Sequence, residues 1–327
     1  MLATLKLVRG ATSDKGIIPA MSHFFIYQGR IQSTNGRISI DAPCEQLKDY
    51  SLTVPADKFI KAIDGMDAEP VITISETRVT LAEGSLKVRL PILANDAFPR
   101  TEPEGDAFAP ETPLLPVLRV LRPYISSDAS KPWSTGLLLT DRGDALATNN
   151  VIMVKMPCDL LGDTGFNINL PITAVEELLR IGEEPTGFGI REDAGSITFH
   201  YASGLWLKCS LLQNDWPTES VGKLFAGIKP KTLVAVPKGL KDAIKRILPF
   251  CPDEKFPMVQ LNEQGISTAE GDQSAEVAGI KLPQGKFNGN MLLLVLDAAK
   301  KFALHEDAPS YFSGEGGLLG VFVGVKI

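Results

Sequence analysis

Apolar residues recur at intervals of three and four in three separate stretches of the chain. The stretches are LTVPADKFIKAI (residues 52–63), INLPITAVEELLRI (168–181) and KFNGNMLLLVLDAAKKF (286–302). This spacing places one apolar stripe on a helix, and Pro, Asp, Thr or Asn stands at the first turn of each. Each stretch therefore predicts a helix with one buried face.

Strict alternation of apolar and polar positions follows the first two of these helices. The runs are VITISETRVTLAEGSLKVRLPIL (71–93) and FGIREDAGSITFHYASGLWLKCSLL (188–212), with Gly or Glu-Gly at the turns. Such patterning predicts antiparallel hairpins with one buried face. After the third of these helices the chain continues to LLGVFVGVKI (318–327).

A further helix is predicted upstream of each of these three helices. These leading helices are LATLKLVRGA (2–11), PLLPVLRVLRPYIS (113–126) and PKGLKDAIKRILPF (237–250). The order helix, strands, helix, strands predicts an α+β fold in which helices and antiparallel sheets form separate layers.

The strands between the two helices carry a sequence repeat. IQSTNGRISIDAPCEQL (31–47) returns as LATNNVIMVKMPCDLL (146–161) and, more faintly, as ISTAEGDQSAEVAGIKLP (266–283). A period of roughly 115 residues suits a whole domain, and a domain of that size can bury its own core. We therefore predict three tandem domains, at residues 1–104, 105–228 and 229–327, joined by linkers near 100–113 and 226–231.

Bulk composition bounds the class of protein. With 44% apolar and 22% charged residues, and no apolar run near 18 residues, the chain is predicted to be globular without a membrane span. The N-terminus lacks the features of a secretory signal, so a cytoplasmic location is expected. Cys44 and Cys158 occupy equivalent places in the repeat and no C-x-x-C spacing occurs, which predicts reduced, packed thiols.

Positive charge is gathered on the leading helices. The chain has 33 Lys and Arg against 39 Asp and Glu, and this balance alone argues against a nucleic-acid partner. One basic pair on a helix usually marks a solvated face, but the same charge in three copies suits a polymer of repeating negative charge such as DNA. The residues predicted to contact DNA, including some on the second helices, are Lys6, Arg9, Lys15, Lys58, Lys61, Arg119, Arg122, Lys238, Lys241, Lys245, Arg246, Lys300 and Lys301.

The chain resembles the bacterial sliding clamp, the β processivity subunit of the replicative DNA polymerase, over nearly its full length. The phrases that carry the resemblance, in order, are IPAMSHFFIYQGRIQSTNGRISI, LTVPADKFIKAI, VRLPILANDAFPR, TGLLLTDRGDALATNNVIMVKMP, NLPITAVEELLRI, LWLKCSLLQNDWP and VFVGVKI. The resemblance implies a DNA clamp fold and a head-to-tail homodimer that closes a ring around duplex DNA and tethers the polymerase. It implies partner polymerases and clamp loaders that dock through short peptides, and neither a cofactor nor a catalytic activity.

The resemblance also implies a peptide pocket between the second and third domains. Carried over position by position, its residues are Thr148, Asn149, Asn150, Val151, Ile152, Met153, Trp216, Pro217, Val221, Val321, Val323, Gly324, Val325 and Lys326. The chain departs from the family at these places, with Asn-Asn-Val-Ile-Met for Asp-Gly-His-Arg-Leu and a different C-terminal tail. The departures leave the preferred peptide open, and 321–325 serving only as an edge strand is an equal alternative. They fit a clamp encoded by a bacterial virus.

Residue types that support catalysis are scattered. His23, His200 and His305 lie far apart, no H-x-x-x-H spacing offers a metal site, and GEGGLLG (314–320) precedes a strand, which favours a hairpin turn. No phosphate-binding loop of the G-x-x-x-x-G-K type occurs.

Two alternatives stay open. A clamp-like decoy would sequester a host polymerase or clamp loader without encircling DNA. A hydrolase would need clustered acids, and the acidic residues near 176–193 are better explained as a solvated helix end.

Overall fold

The computed structural model describes residues 1–13, 18–105, 108–162, 165–191, 193, 195–268, 276–305 and 307–324. Its α-helices are α1 (Leu2–Val8), α2 (Ala56–Asp64), α3 (Leu114–Leu121), α4 (Ile172–Ile181), α5 (Thr218–Ala226), α6 (Leu240–Ile247) and α7 (Gly289–Ala298). The leading helices are α1, α3 and α6, and a short 3₁₀ turn follows each of them. Within the described ranges, no helix combines the length and the apolar character that crossing a membrane requires.

The strands pair antiparallel throughout. Those of the first repeat are β1 (His23–Tyr27), β2 (Arg30–Thr34), β3 (Ile38–Pro43), β4 (Leu52–Pro55), β5 (Val71–Ile74), β6 (Arg78–Glu83) and β7 (Leu86–Pro91). Those of the second are β8 (Gly136–Leu139), β9 (Asp144–Thr148), β10 (Ile152–Pro157), β11 (Ile168–Pro171), β12 (Gly187–Arg191), β13 (Ser196–His200) and β14 (Trp206–Ser210). Those of the third are β15 (Val234–Ala235), β16 (Met258–Leu261), β17 (Gly265–Thr268), β18 (Glu276–Ala278), β19 (Gly285–Asn288), β20 (Ala299–Ala303), β21 (Ser310–Gly314) and β22 (Leu319–Phe322).

The chain folds into two compact units, here called unit one and unit two. Unit one comprises Met1–Leu115 and Thr173–Leu211, and unit two comprises Pro116–Ile172 and Leu212–Ile327. Unit one holds a seven-stranded sheet in the order β12-β13-β14-β3-β2-β1-β4 and a three-stranded sheet β5-β6-β7. Unit two holds an eight-stranded sheet β11-β8-β9-β10-β22-β21-β20-β15 and a four-stranded sheet β18-β17-β16-β19. The division into three domains at 1–104, 105–228 and 229–327 stays a prediction.

Thr-Asn recurs in the sequence because it shapes the same turn twice. In the first repeat the Asn35 side chain accepts hydrogen bonds from the backbone N–H groups of Arg37 and Ile38, at 3.0 and 2.9 Å. In the second repeat the Asn149 side chain accepts hydrogen bonds from the backbone N–H groups of Val151 and Ile152, at 3.1 and 2.8 Å. The residue between adopts positive φ in both copies, +84° at Gly36 and +69° at Asn150, a conformation that Gly and Asn tolerate. The repeated letters are therefore turn formers.

Two element predictions need correction. Lys300 and Lys301 lie on β20 and not on the second helix of the third repeat, because α7 ends at Ala298. The following backbone joins a sheet instead, with Lys301 opposite Ser313 on β21 and Ala235 on β15. The helix α5 was not predicted at all. The segment GEGGLLG forms the predicted hairpin turn, since β21 and β22 pair on either side of it.

Candidate functional site

One cation occupies the same position on each leading helix. Lys6, Arg119 and Lys245 each stand two residues before the last residue of α1, α3 and α6, and all three side chains are exposed. A cation at this place also interacts favourably with the negative end of the helix dipole. The three helices thus present like charges at equivalent positions, where each charge also stabilises its own helix.

Carboxylates neutralise part of this basic set. Lys6 pairs with Asp64 at 3.0 Å, Lys300 pairs with Glu315 at 2.9 Å, and Arg9 and Lys241 pair with Asp57 and Asp297. The hydrogen bond from Arg9 lowers the pKa of the Asp57 carboxyl. The other predicted DNA contacts that the structure describes are exposed and lie on or next to helices, except for Lys301 on β20: Lys58, Lys61, Arg119, Arg122, Lys238, Lys245, Arg246 and Lys301. Lys15 lies outside the described residues.

A cleft of about 320 Å³ in unit two lies beside Arg119. Residues from the end of α3 and the turn after it form one wall, and residues of α7, β20 and the β21–β22 turn form the other. The Tyr124 hydroxyl, on one wall of the cleft, donates a hydrogen bond to the Leu294 carbonyl on the other wall, at 3.0 Å. Burial raises the pKa of Tyr124, so the phenol stays protonated and can donate.

An apolar cluster in unit two collects some of the predicted pocket residues. Its buried members are Leu138, Leu146, Trp216 and Val221, and Trp133, Met153 and Phe225 pack against them. The Trp133 and Trp216 rings meet edge to face, with centroids 5.0 Å apart. We call these seven residues the apolar cluster.

The register of β10 decides which predicted pocket residues share the face of the apolar cluster. Met153 lies opposite Val321 of β22, and residues opposite one another on paired strands point to the same face. Ile152 alternates to the other face and is fully buried. Val151 and Val323 are exposed, at 39% and 50%.

The polar residues of the predicted pocket serve local structure. The buried Thr148 hydroxyl donates to the Ile152 carbonyl at 2.9 Å, and the Asn150 amide donates to Ser126 and Ser134 at 3.1 and 3.3 Å. Pro217 is exposed at the start of α5, and Gly324 is half-buried after β22. Val325 and Lys326 lie outside the described residues.

The Trp216 indole is a buried donor without an acceptor among the described residues. The side chain is 6% exposed, and its Nε1 makes no hydrogen bond to any residue that the structure describes. A buried N–H without an acceptor costs about 1–3 kcal/mol. A ligand that brings a hydrogen-bond acceptor to the Trp216 indole N–H would therefore gain binding free energy.

Unit one closes the equivalent position with its own residues. Phe25 stands where Leu138 stands in unit two, and its ring stacks on those of Tyr27 and Phe98, with centroids at 4.9 and 5.3 Å. Gln32, the counterpart of Leu146, exchanges two hydrogen bonds with the Thr101 backbone at 2.9 and 3.0 Å. The second repeat therefore differs from the first in carrying leucine at both of these positions.

Four members of the apolar cluster were missed from the sequence: Trp133, Leu138, Leu146 and Phe225. Leu138 and Leu146 were hidden because they resemble ordinary strand residues, and they meet only through cross-strand pairing. Trp133 offered a signal, because PWST (132–135) stands directly before β8 as PAMS (19–22) stands before β1, with Trp133 at the place of Ala20. Phe225 lies on the helix that was not predicted.

Histidine and cysteine side chains are common catalytic groups. His23 hydrogen-bonds the Pro19 carbonyl and the Ser22 hydroxyl at 2.9 and 3.1 Å, and burial lowers its pKa. The four cysteines are buried and form no disulfide. Within the described ranges, no three His, Cys, Asp or Glu side chains are grouped as metal ligands.

Comparison with solved structures finds sliding clamps along the whole chain. A sliding clamp (DNA polymerase III subunit beta) from Pseudomonas aeruginosa bound to griselimycin is 18% identical, with a TM-score of 0.81. The Bacillus subtilis DNA polymerase sliding clamp is 17% identical, with a TM-score of 0.81. The Helicobacter pylori beta clamp bound to a DNA ligase peptide is 14% identical, with a TM-score of 0.76. Each match covers 100% of this chain and 97% of the other.

No protein-family model matches the chain, and no curated protein sequence matches it. At this level of identity the structural likeness establishes the fold. The chain has the sliding-clamp fold, as the sequence predicted.

Proposed function

We propose that this protein is a DNA sliding clamp, which encircles duplex DNA and tethers a DNA polymerase to it. The observation that carries the proposal is the threefold placement of one exposed cation on equivalent helices in a chain with the clamp fold. Contacts of this kind neutralise phosphates without reading bases, so such a ring can slide on any sequence. Topology would then hold the protein on DNA while each single contact stays weak.

The apolar cluster supports a second part of the proposal, the docking of partner peptides. Relatives in fold have been solved with griselimycin and with a DNA ligase peptide. In this chain the cluster offers partly exposed Trp133, Met153 and Phe225 around a buried tryptophan donor. An apolar anchor with a few polar groups is the usual composition of a peptide-docking site. We propose that polymerase and clamp-loader peptides dock here.

Binding of these two probes tests the peptide site. We expect griselimycin and the ligase peptide to bind the wild-type chain and to lose at least about tenfold in affinity when Met153→Asp places a charge in the cluster. The matched control is Ser39→Asp, which changes the equivalent strand position of the first repeat. Equal loss in both variants, or none in Met153→Asp, would contradict the assignment.

Solution mass tests whether the chain closes a ring. Three repeats per chain favour a head-to-tail dimer, with a mass near twice the 35.3 kDa of one chain. Among the described strands, β7 and β18 are edge strands that a second copy can pair with. Light scattering over a range of concentrations measures it. A monomer at every concentration would contradict the ring and favour a decoy that sequesters a polymerase or clamp loader.

A further inference from the structure

Two sheets of this protein are completed by strands from consecutive repeats. In unit one β14 of the second repeat pairs with β3 of the first, and in unit two β22 of the third repeat pairs with β10 of the second. Both junctions join the third strand of a three-stranded meander to the last strand of a four-stranded set. The chain thus contains two copies of one junction.

The parts of a third copy are present but unjoined within the chain. The first repeat has the meander β5-β6-β7, in which β7 pairs with β6 alone among the described strands. The third repeat has the four-stranded set β18-β17-β16-β19, in which the described part of β18 pairs with β17 alone. These two edges, β7 and β18, are the counterparts of the strands that meet in the other junctions.

The register of the four-stranded sets identifies equivalent residues without reference to sequence similarity. A row of paired residues starts three positions before the second helix of each repeat and crosses the set to its last strand. The three rows are Thr53–Phe25–Gln32–Asp41, Asn169–Leu138–Leu146–Lys155 and Lys286–Gln260–Ser267–Glu276. Glu276 is therefore the counterpart of Asp41 and Lys155.

The meanders can be aligned by their central strands. Leu81, Phe199 and Phe312 are fully buried at equivalent positions, and the next row of each meander follows them. These rows are Val71–Ala82–Lys87, Gly187–His200–Trp206 and Lys301–Ser313–Leu319. Lys87 is therefore the counterpart of Trp206 and Leu319.

In both existing junctions, the last residue of the meander row pairs with the last residue of the row in the four-stranded set. Trp206 lies opposite Asp41, and Leu319 lies opposite Lys155. The same register at the third junction sets Lys87 of one copy opposite Glu276 of another. Both side chains are exposed in the single chain. The next residues in the ladder are apolar, because Leu86, 41% exposed, falls opposite the half-buried Val277.

We infer that Lys87 and Glu276 form a charge pair between copies that fixes the register of the ring and selects a second copy of this chain as the partner. The inference rests on the proposed function, since it concerns the closure of the same ring. Opposite charges on facing residues of paired strands stabilise the pairing, and like charges oppose it. A head-to-tail dimer contains this pair twice, so a change at one residue acts at both junctions.

Charge reversal with a mixing arm tests the pair. Lys87→Glu and Glu276→Lys should each raise the dimer Kd about tenfold at low salt, because like charges then face each other at both junctions. Mixing the two variants should restore wild-type association, since every junction of the mixed dimer again joins opposite charges. Sedimentation velocity measures the association at low and high salt, where screening should shrink the effect. The matched control is Arg78→Glu, which reverses an exposed charge on β6, the central strand that is already paired on both sides.

Each result separates this inference from the proposed function. A wild-type dimer that neither reversal weakens, or that weakens without recovery on mixing, overturns the Lys87–Glu276 register and leaves the clamp proposal standing. A wild-type chain that is monomeric at every concentration overturns the ring itself. Aligning the repeats at Pro43, Pro157 and Pro283 would instead make Lys281 the counterpart of Asp41. If Lys281→Glu tightens the dimer while Glu276→Lys leaves it unchanged, that alignment replaces the one inferred.

Discussion

Two ion pairs occupy equivalent positions in the first two repeats with their charges exchanged. Arg30 on β2 pairs with Asp41 on β3 at 2.5 Å, whereas Asp144 on β9 pairs with Lys155 on β10 at 3.0 Å. Asp41 is fully buried, and burial raises its pKa although Tyr27 also donates a 2.7 Å hydrogen bond to it. A comparison of residue types cannot find this relation, because both residues change between copies. Strand register makes it visible.

The exchanged polarity leads to a stability prediction at this site. Asp144→Lys alone should cost about 1 kcal/mol of unfolding free energy, because two partly exposed cations then face each other. Adding Lys155→Asp should recover most of that loss, since the pair then has the polarity seen in the first repeat. Urea unfolding of the two single variants and the double variant measures the coupling. Strictly additive losses would contradict an interaction between the side chains.

A second buried carboxylate leads to a prediction about acid stability. Glu104 is buried, which by itself would raise its pKa, but hydrogen bonds from Lys208, Ser196 and Thr198 hold its pKa below the usual value. The unfolded chain therefore takes up this proton first on acidification. Its stabilising contribution is complete above the unfolded value near 4.5 and is lost as pH falls through the lower folded value.

Unfolding across acidic pH checks this contribution. Glu104→Gln should flatten the fall in unfolding free energy below about pH 4.5, while lowering stability at neutral pH because Lys208 loses its partner. Glu76→Gln, at an exposed turn, controls for the loss of one carboxylate. An unchanged pH slope in Glu104→Gln would mean that other groups set the acid limit.

At the scale of elements, helices were predicted where an apolar stripe runs for at least two turns. The leading helix of the third repeat was predicted within 237–250 and is found at α6, Leu240–Ile247, with Leu240, Ala243, Ile244 and Ile247 buried. The helix α5 escaped prediction because Val221 is its one buried residue and because Gly222, in its middle, is a poor helix former. The boundary between α7 and β20 escaped because pairing with β21 and β15 decides it, and both strands are remote in sequence.

Charge on the leading helices gives the sharpest prediction at this scale. Changing Arg119, Arg122, Lys245 and Arg246 together to Glu should abolish retention on DNA, because four exposed cations on α3, α6 and the turn after α3 become anions. In sedimentation experiments the fourfold variant should associate to the same extent as the wild type. Retention is measured by gel filtration with plasmid DNA.

The control for this change carries the same reversal elsewhere. Arg78, Arg142, Lys229 and Lys231 are exposed and lie outside the leading helices. Reversing these four should leave DNA retention close to that of the wild type. Equal loss in both variants would show that net charge, and not the helix surface, governs binding.

At the scale of the whole molecule, the threefold repeat and the clamp fold were predictable, and the pairing of repeats was not. Local periodicity revealed the leading helices, the second helices and the hairpins, since those contacts lie near one another in the chain. The junction of β14 with β3 joins residues far apart in sequence, and no local pattern encodes such a register. Members of the apolar cluster such as Leu138 escaped for the same reason.

The central claim, that the protein encircles DNA, is tested most directly by cutting the DNA. Subunits separated in high salt are returned to low salt with closed circular plasmid, and the fraction that coelutes with the plasmid is measured before and after one double-strand cut. A sliding ring should stay on the circle and leave once an end allows it to slide off. Equal retention on circular and linear DNA, or no retention on either, would contradict the account.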